Sequence, residues 1–204
     1  SDYESNYDQG YSTDLIADAA TDFIRRHAQD DSPFLCYVPF NAPHSPLQAK
    51  QEDLRAYQHL AKTKPYPRKR KGSANRPGVQ GRGDSPRQTL AAMISSMDQG
   101  VGRILQALDE QGIADDTLVW FFSANGGVGA GDNRPLRAGK ATVFEGGIHV
   151  AASLRWPGKV PAGSKIASPT AYIDVLPTLM EVAEIEVHAG KPLDGVSLVG
   201  LLAG

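Results

Sequence analysis

One stretch of the sequence, from Thr117 to Gly147, constrains the fold more than any other. It opens with an apolar run, Leu118 to Phe122, that is long enough for one buried strand. Small and glycine-rich residues follow at 123–131, and then come three cations, Arg134, Arg137 and Lys140. Open α/β sheets bind ligands at the carboxyl ends of their strands, where glycines let the backbone approach closely. The stretch therefore predicts an α/β domain with a site for an anionic ligand.

The rest of the chain alternates between helical and extended patterns. Apolar residues at steps of three and four predict helices over 15–28 and 90–108, and shorter helices are predicted over 51–61 and 174–182. Apolar runs predict buried strands over 33–40 and 148–156. Such alternation is typical of layered α/β domains. The two methionines of the third predicted helix, Met93 and Met97, need only a packing role.

Composition excludes several classes of protein. The net charge of the 204 residues is -2, which argues against nucleic acid as the main partner. The single cysteine, Cys36, rules out an intrachain disulfide, and no apolar run reaches the length of a membrane span. Residues 62–87 stand apart, with nine Lys or Arg against one acid. They predict a basic surface loop, with contact to an anionic polymer as a minor alternative.

A histidine follows the strand predicted at 33–40. Pro43 and Pro46 flank His44 closely and stiffen its backbone, so the imidazole is held on a rigid loop. Two interpretations stay open: a ligand-contacting group, or a turn histidine bonded to nearby backbone.

Several short blocks become informative when they are taken together. In chain order they are 34–46, 97–103, 122–127, 135–140, 144–148, 155–158, 174–179 and 194–198. Their order and spacing resemble the type I, formylglycine-dependent sulfatases of the alkaline-phosphatase-like superfamily. The resemblance runs from about Gly10 to Leu202. It identifies residues 1–204 as a C-terminal portion of a sulfatase-like catalytic domain, with the basic loop 62–87 inserted.

The resemblance implies a fold, an activity and partners. The fold would be a three-layer helix/sheet/helix arrangement with a mixed, mainly parallel sheet. The activity would be hydrolysis of sulfate esters on a sulfated small molecule or glycan, with Ca²⁺ and a formylglycine nucleophile. The N-terminal half of the domain would be a further partner. Members of this family are periplasmic, secreted or lysosomal, which is the location that the resemblance suggests.

The resemblance also assigns roles to individual residues. His44 and Lys140 would be catalytic and would contact the sulfate, with Arg137 as a further substrate-binding group. Asn125 would be a metal ligand through its side-chain oxygen. Two departures stand out: Ala124 occupies the position where an Asp ligand is expected, and no Cys or Ser in the chain is followed by x-Pro-x-Arg. We therefore expect the isolated 204-residue chain to be inactive and its calcium site to be weak or absent.

Two other functions remain open on these residues. The chain could be a non-catalytic relative that binds sulfated glycans through Lys140, Arg137 and the basic loop. It could also belong to a phosphate- or phosphonate-ester hydrolase of the same superfamily.

Overall fold

A computed structural model describes residues 10–62, 81–186 and 190–202. Most of the predicted basic loop, residues 63–80, lies outside the described residues. The chain divides into two compact units, one made of 1–113 with 122–152 and the other of 114–121 with 153–204. Within the described ranges, no helix is both long and apolar enough to cross a membrane.

Helices dominate the first unit, and all of them except the last lie close to the predicted positions. They are α1 (Ser12–His27), α2 (Gln51–Ala56), a 3₁₀ turn (Gln58–Leu60), α3 (Pro86–Glu110) and the single-turn α4 (Glu145–Ile148). The helix predicted over 51–61 is thus split in two. The first helix begins three residues before its predicted start at residue 15: Tyr11 precedes it, and Thr13 is buried inside its first turn.

The long helix α3 begins with two favourable residues. The hydroxyl of Ser85 accepts the backbone N–H of Gln88 at 3.1 Å, and Pro86 stands at the first helical position. Gly100 lets α1 approach, because a Cβ added there would lie 3.0 Å from the Cβ of Ala17. The same argument fails at Gly102, where nothing lies within 4 Å. Met93 is buried in the core, as the helical pattern predicts.

The buried strand predicted over 33–40 is wrong. No strand is assigned there, and the side chains of Leu35 and Tyr37 are 73% and 80% exposed. Alternate residues from 34 to 40 are half-buried, as in an extended chain with one covered face. The segment has extended geometry, but no neighbouring strand among the described residues covers its other face.

The described residues form a single small sheet. It has two antiparallel strands, β1 (Val119–Phe122) and β2 (Ala152–Arg155), so the predicted mainly parallel sheet is not confirmed. The second strand, predicted over 148–156, is shorter in the structure: residue 148 ends α4, and no strand is assigned at 149–151 or at 156. The amide of His149 closes that helical turn on the carbonyl of Glu145 at 2.8 Å.

The second unit contains α5 (Val175–Val182), preceded by a 3₁₀ turn (Tyr172–Asp174), and α6 (Val199–Leu202). Buried Asp174 joins these elements, because its carboxylate accepts the backbone N–H groups of Ala171 at 2.8 Å and Val196 at 3.0 Å. Both hydrogen bonds lower the pKa of Asp174, and the bond from Val196 has the larger effect. The hydroxyl of Thr178 accepts the amide of Leu198 at 3.0 Å. The blocks 174–179 and 194–198 therefore hold each other in place.

Candidate functional site

Directly after β1 the chain forms a compact loop, residues 123–148, which we call the glycine segment. Its first part carries the predicted metal ligand, Asn125. The Nδ2 of Asn125 donates to the carbonyl of Gly126 at 3.0 Å. Among the described residues no hydrogen bond to its Oδ1 is found, so that oxygen is available to coordinate a cation or accept a hydrogen bond. Ala124, beside it, is exposed and brings no polar side chain.

Four glycines allow the glycine segment to fold on itself. A Cβ on Gly126 would overlap the carbonyl of Gly146, and one on Gly139 would overlap the carbonyl of Gly127. A Cβ on Gly146 would meet the carbonyl of Ala138, and one on Gly147 would meet that of Thr142. Backbone here packs directly on backbone, which only glycine permits. The glycines of the 117–147 stretch therefore build the loop.

Lys140 lies at the centre of this folded loop. Its backbone N–H donates to the carbonyl of Gly127 at 3.3 Å. On either side, Ala138 (φ 63°) and Ala141 (φ 67°) adopt left-handed backbone conformations. Such conformations cost an alanine about 1–2 kcal/mol and tend to cluster at functional sites. The side chain of Lys140 is exposed, and its ammonium has no ion-pair partner among the described residues.

Arg137, three residues earlier, is held by an aromatic ring. Its guanidinium carbon lies 4.0 Å from the ring centroid of Phe144, which is within cation–π range. The carbonyl of Arg137 accepts the amide of Gly146 at 2.8 Å. Both the backbone and the side chain of Arg137 are therefore tied to the 144–147 turn, and its exposed cation shares a loop with Lys140.

Asn133, which the sequence analysis does not single out, makes the most bonds in the loop. Its Oδ1 accepts the N–H of Gly127 at 2.8 Å, and its Nδ2 donates to the carbonyls of Gly127 at 2.8 Å and Ala138 at 2.9 Å. Asparagine in a Gly/Pro-rich loop commonly bonds nearby backbone, and that was the available signal. The bonding partners themselves could not be read from the sequence.

Asp132 is one of the two acids of the glycine segment, and it is already engaged. Arg134 donates to it from Nε at 2.9 Å, from Nη2, and from its backbone N–H at 3.1 Å. These bonds hold the pKa of the Asp132 carboxyl well below its usual range. Asp132 is therefore occupied by a cation of its own chain. Arg87 of α3 fixes the same part of the loop, because its Nη1 donates to the carbonyl of Ala130 at 2.8 Å.

His44 lies on a separate turn of the first unit. Its Nδ1 is 2.8 Å from the carbonyl of Ser45, and its backbone N–H donates to Asn41 at 2.8 Å. An Nδ1–H donated to Ser45 leaves the Nε2 of the exposed ring as the available nitrogen. Among the described residues the hydrogen bonds of His44 stay within its turn. The structure thus joins Asn125, Arg137 and Lys140 through one loop, and His44 is not bonded to that loop.

A calcium site needs six to eight oxygen ligands. In the part of the chain that the structure describes, no group of three or more His, Cys, Asp or Glu residues could hold a metal. Asn125 supplies one amide oxygen, and Ala124 supplies none. These residues do not by themselves fit a calcium ion.

Comparisons with known sequences agree on one family. A family model described as Sulfatase matches residues 1–185. A sulfatase of Formosa agariphila is 33% identical over 202 residues, which are 93% of this chain and 33% of that protein. The steryl-sulfatase of Mus musculus is 33% identical over 207 residues, which are 97% of this chain and 28% of that protein. The chain thus spans about a third of the length of these curated relatives.

Solved structures give the same result for the fold. The crystal structure of Ps i-CgsB in complex with k-i-k-neocarrahexaose matches with a TM-score of 0.79 and 33% identity, over 93% of this chain and 38% of that one. The phosphonate monoester hydrolase SpPMH from Silicibacter pomeroyi matches with a TM-score of 0.58 and 22% identity, over 95% of this chain and 42% of that one. At that identity the second match concerns the fold alone. The predicted α/β fold class is therefore confirmed at this coarser level, and the chain belongs to the sulfatase family.

Proposed function

We propose that this chain carries the sulfate-binding part of the active site of a sulfuric-ester hydrolase. One observation carries the proposal: the ammonium of Lys140, which has no ion-pair partner among the described residues, extends from a loop whose backbone is fixed on both sides. A lysine on a mobile surface loop would lose side-chain and loop entropy on binding an anion. Here the loop is already ordered, so more of the attraction is available to the ligand.

In this proposal Lys140 and Arg137 bind sulfate oxygens. The guanidinium of Arg137 offers several N–H donors in a plane, and stacking on Phe144 limits the directions in which it points. Fixed cations of this kind stabilise the negative charge that develops on a transferred sulfuryl group. The two cations would thus act in binding and in the chemical step.

His44 is proposed to act at the leaving group. Its Nδ1 bond to the Ser45 carbonyl fixes the plane of the ring and leaves Nε2 to face the ligand. A positioned imidazole can deliver a proton to a departing oxygen. A turn histidine commonly bonds nearby backbone in this way. In this proposal the same bond also orients the ring toward the leaving group.

Asn125 is proposed as one oxygen ligand of a divalent cation. Ala124 supplies none of the anionic oxygen that this ion prefers, and Asp132 is engaged by Arg134. We therefore propose that calcium binds these 204 residues weakly or not at all. The remaining ligands, the formylglycine and the rest of a mainly parallel sheet would be supplied by parts of the domain outside these residues.

The substrate is proposed to be a sulfated small molecule or glycan, in a periplasmic, secreted or lysosomal setting. The relatives support both substrate types, since one is a steryl-sulfatase and another structure is a complex with k-i-k-neocarrahexaose. Arg137 and Lys140 would bind the sulfate group, which both substrate types contain.

A non-catalytic, glycan-binding role is the second candidate. It is favoured by Ala124 and by the lack of a Cys- or Ser-x-Pro-x-Arg sequence within the 204 residues. A phosphate- or phosphonate-ester hydrolase is a weaker alternative, supported only by fold.

Turnover of p-nitrophenyl sulfate, p-nitrophenyl phosphate and a phenyl phosphonate ester separates these functions. We expect none from the chain alone, and sulfate-ester turnover when it is co-expressed with a polypeptide that supplies the x-Pro-x-Arg nucleophile segment. Lys140→Met should abolish that turnover. Preference for the phosphorus esters, or sulfate-ester turnover that Lys140→Met leaves unchanged, would contradict the proposal.

A further inference from the structure

We propose that Asn133 is the positioning residue that holds Lys140 in place for an anion. The inference rests on the proposed function in one respect, namely that Lys140 binds sulfate. It assigns to Asn133 no contact with the ligand. Its action is exerted through the backbone on either side of Lys140.

The first half of the argument concerns Gly127. Asn133 satisfies both backbone groups of Gly127, accepting its N–H at 2.8 Å and donating to its carbonyl at 2.8 Å. This pair of bonds imitates the pairing of a neighbouring strand. The same Gly127 carbonyl accepts the N–H of Lys140 at 3.3 Å. Asn133 and the Lys140 backbone therefore meet on one oxygen atom.

The second half concerns the residues before Lys140. The other N–H of the Asn133 amide donates to the carbonyl of Ala138 at 2.9 Å. Ala138 has a φ of 63°, a conformation that an alanine adopts only when its surroundings impose it. Because Asn133 holds this carbonyl, it supports the left-handed conformation two residues before Lys140. It thus fixes the loop at both Gly127 and Ala138.

Only an asparagine fits this position with all its bonds made. The site needs one acceptor facing the Gly127 N–H and two donors facing two carbonyls, which is what one short amide provides. An aspartate of the same shape would keep the acceptor but turn its second oxygen toward the carbonyls of Gly127 and Ala138. There is also no space for a bulkier neighbour, since a Cβ on Gly139 would lie 2.7 Å from the Asn133 Nδ2.

The experiment compares Asn133→Ala and the isosteric Asn133→Asp with Val128→Ala as a matched control. Val128 lies in the same loop beside Gly127, its side chain is uncharged, and the residue is 69% exposed. Each purified 204-residue variant is followed by ¹⁵N–¹H spectra and thermal unfolding, first without ligand and then during titration with inorganic sulfate. Spectra are recorded well below each melting temperature.

For both Asn133 variants we expect the amide resonances of Gly127 and Lys140 to move before sulfate is added. We expect the dissociation constant for sulfate to rise at least about fivefold, as loss of two or three net hydrogen bonds implies. Val128→Ala should leave the Lys140 resonance and the affinity unchanged. If the sulfate affinity of a folded Asn133 variant equals that of the wild type, Asn133 stabilises the loop without positioning Lys140, and the inference is wrong.

The spectra also distinguish failure of this inference from failure of the proposed function. If the wild-type chain gives no sulfate-dependent shift at Lys140, the proposed function fails whatever Asn133 does. If the wild type binds sulfate through Lys140 but the Lys140 amide is unmoved in both variants, only the inference fails. Should Asn133→Ala not fold, the isosteric Asn133→Asp provides the same comparison.

Discussion

Two lysines of the first unit, Lys50 and Lys140, have opposite surroundings. The Nζ of Lys50 lies 3.0 Å from Asp14, 3.4 Å from Glu52 and 3.8 Å from Asp53. The Nζ of Lys140 has no carboxylate partner among the described residues. The first lysine is bound by its own chain, and the second is available to an external anion.

The carboxylates around Lys50 are themselves part of the packing between helices. Asp53 of α2 is only 5% exposed, and it accepts bonds from Ser96 and Gln99 of α3. Burial lowers the pKa of Lys50, but the bond and charge of Asp14 outweigh this, so that its pKa is raised overall. Lys50 therefore joins α1 to α2, and Asp53 joins α2 to α3.

The comparison shows how a cation's role depends on its support. Lys50 is fixed by its side-chain partners, so its charge is used within the fold. Lys140 is fixed through its backbone, by Gly127 and the neighbouring left-handed alanines. Its ammonium makes no ion pair with the described residues, so its charge can attract a ligand. A lysine that binds a ligand needs support through its backbone, because its ammonium must stay free of partners.

The largest effect on stability is expected at the Lys50 network. Replacing buried Asp53 with Ala removes the acceptor of Ser96, Gln99 and Lys50, and should lower the free energy of unfolding by about 2–3 kcal/mol. Glu52→Ala is the matched control, because Glu52 contacts the same lysine but its side chain is 73% exposed. It should change stability by less than about 0.5 kcal/mol. Equal losses in urea denaturation would contradict the distinction between these carboxylates.

A similar loss of stability, confined to the glycine segment, is expected for Gly126→Ala. The new methyl group would overlap the carbonyl of Gly146 and force the glycine segment apart. We expect faster amide exchange across residues 126–147 and loss of sulfate binding, with the α1–α3 packing intact. Gly102→Ala is the control: it meets nothing within 4 Å and should stabilise α3 by up to about 1 kcal/mol. Unchanged exchange in Gly126→Ala would show that backbone packing does not hold the segment together.

A smaller, pH-dependent effect is expected at Asp174. Because the N–H groups of Val196 and Ala171 favour its ionised form, its folded-state pKa lies below the unfolded one. Its contribution to stability is therefore present above the unfolded value, near pH 4, and is lost as the pH falls through the depressed folded value. Asp174→Asn should remove this part of the pH dependence in melting curves between pH 3 and 6. A variant with the wild-type slope would mean that other carboxyls account for it.

The smallest effect on stability, together with a gain of binding, is expected for Ala124→Asp. The position is exposed, so melting should change little. The added carboxylate beside Asn125 should raise calcium affinity by at least about tenfold in calorimetry, since calcium affinity follows the number of charged oxygen ligands. Ala130→Asp, elsewhere in the loop, controls for net charge. Equal affinities of the two variants would mean that Ala124 does not lie where the metal ligand is expected.

The sequence was most informative where a pattern repeats. Apolar spacing located α3 and α1 because a long helix must bury one face, and the glycine-rich stretch located the loop around Lys140. The prediction of a buried strand failed at 33–40, where Leu35 and Tyr37 are exposed. Apolarity alone does not say whether a neighbouring strand is present.

The supports of the candidate site were hardest to predict. Asn133 bonds to backbone groups six residues before it and five residues after it. Backbone groups are the same at every position, so the sequence does not mark them as partners. Likewise the close packing at Gly126 depends on a carbonyl twenty residues away. The charged groups could be predicted from residue type, whereas their positioning required the folded loop.

The most direct test of the account is a sulfate titration of Lys140→Met beside Lys50→Met, followed by ¹⁵N–¹H spectra and melting curves. Lys140→Met should melt like the wild type and lose at least about tenfold in sulfate affinity, which corresponds to the loss of one charge-assisted contact. Lys50→Met should melt at a lower temperature and bind sulfate as the wild type does. If both lysines affect sulfate binding equally, or if Lys140→Met still binds it with wild-type affinity, Lys140 is not the anion-binding cation.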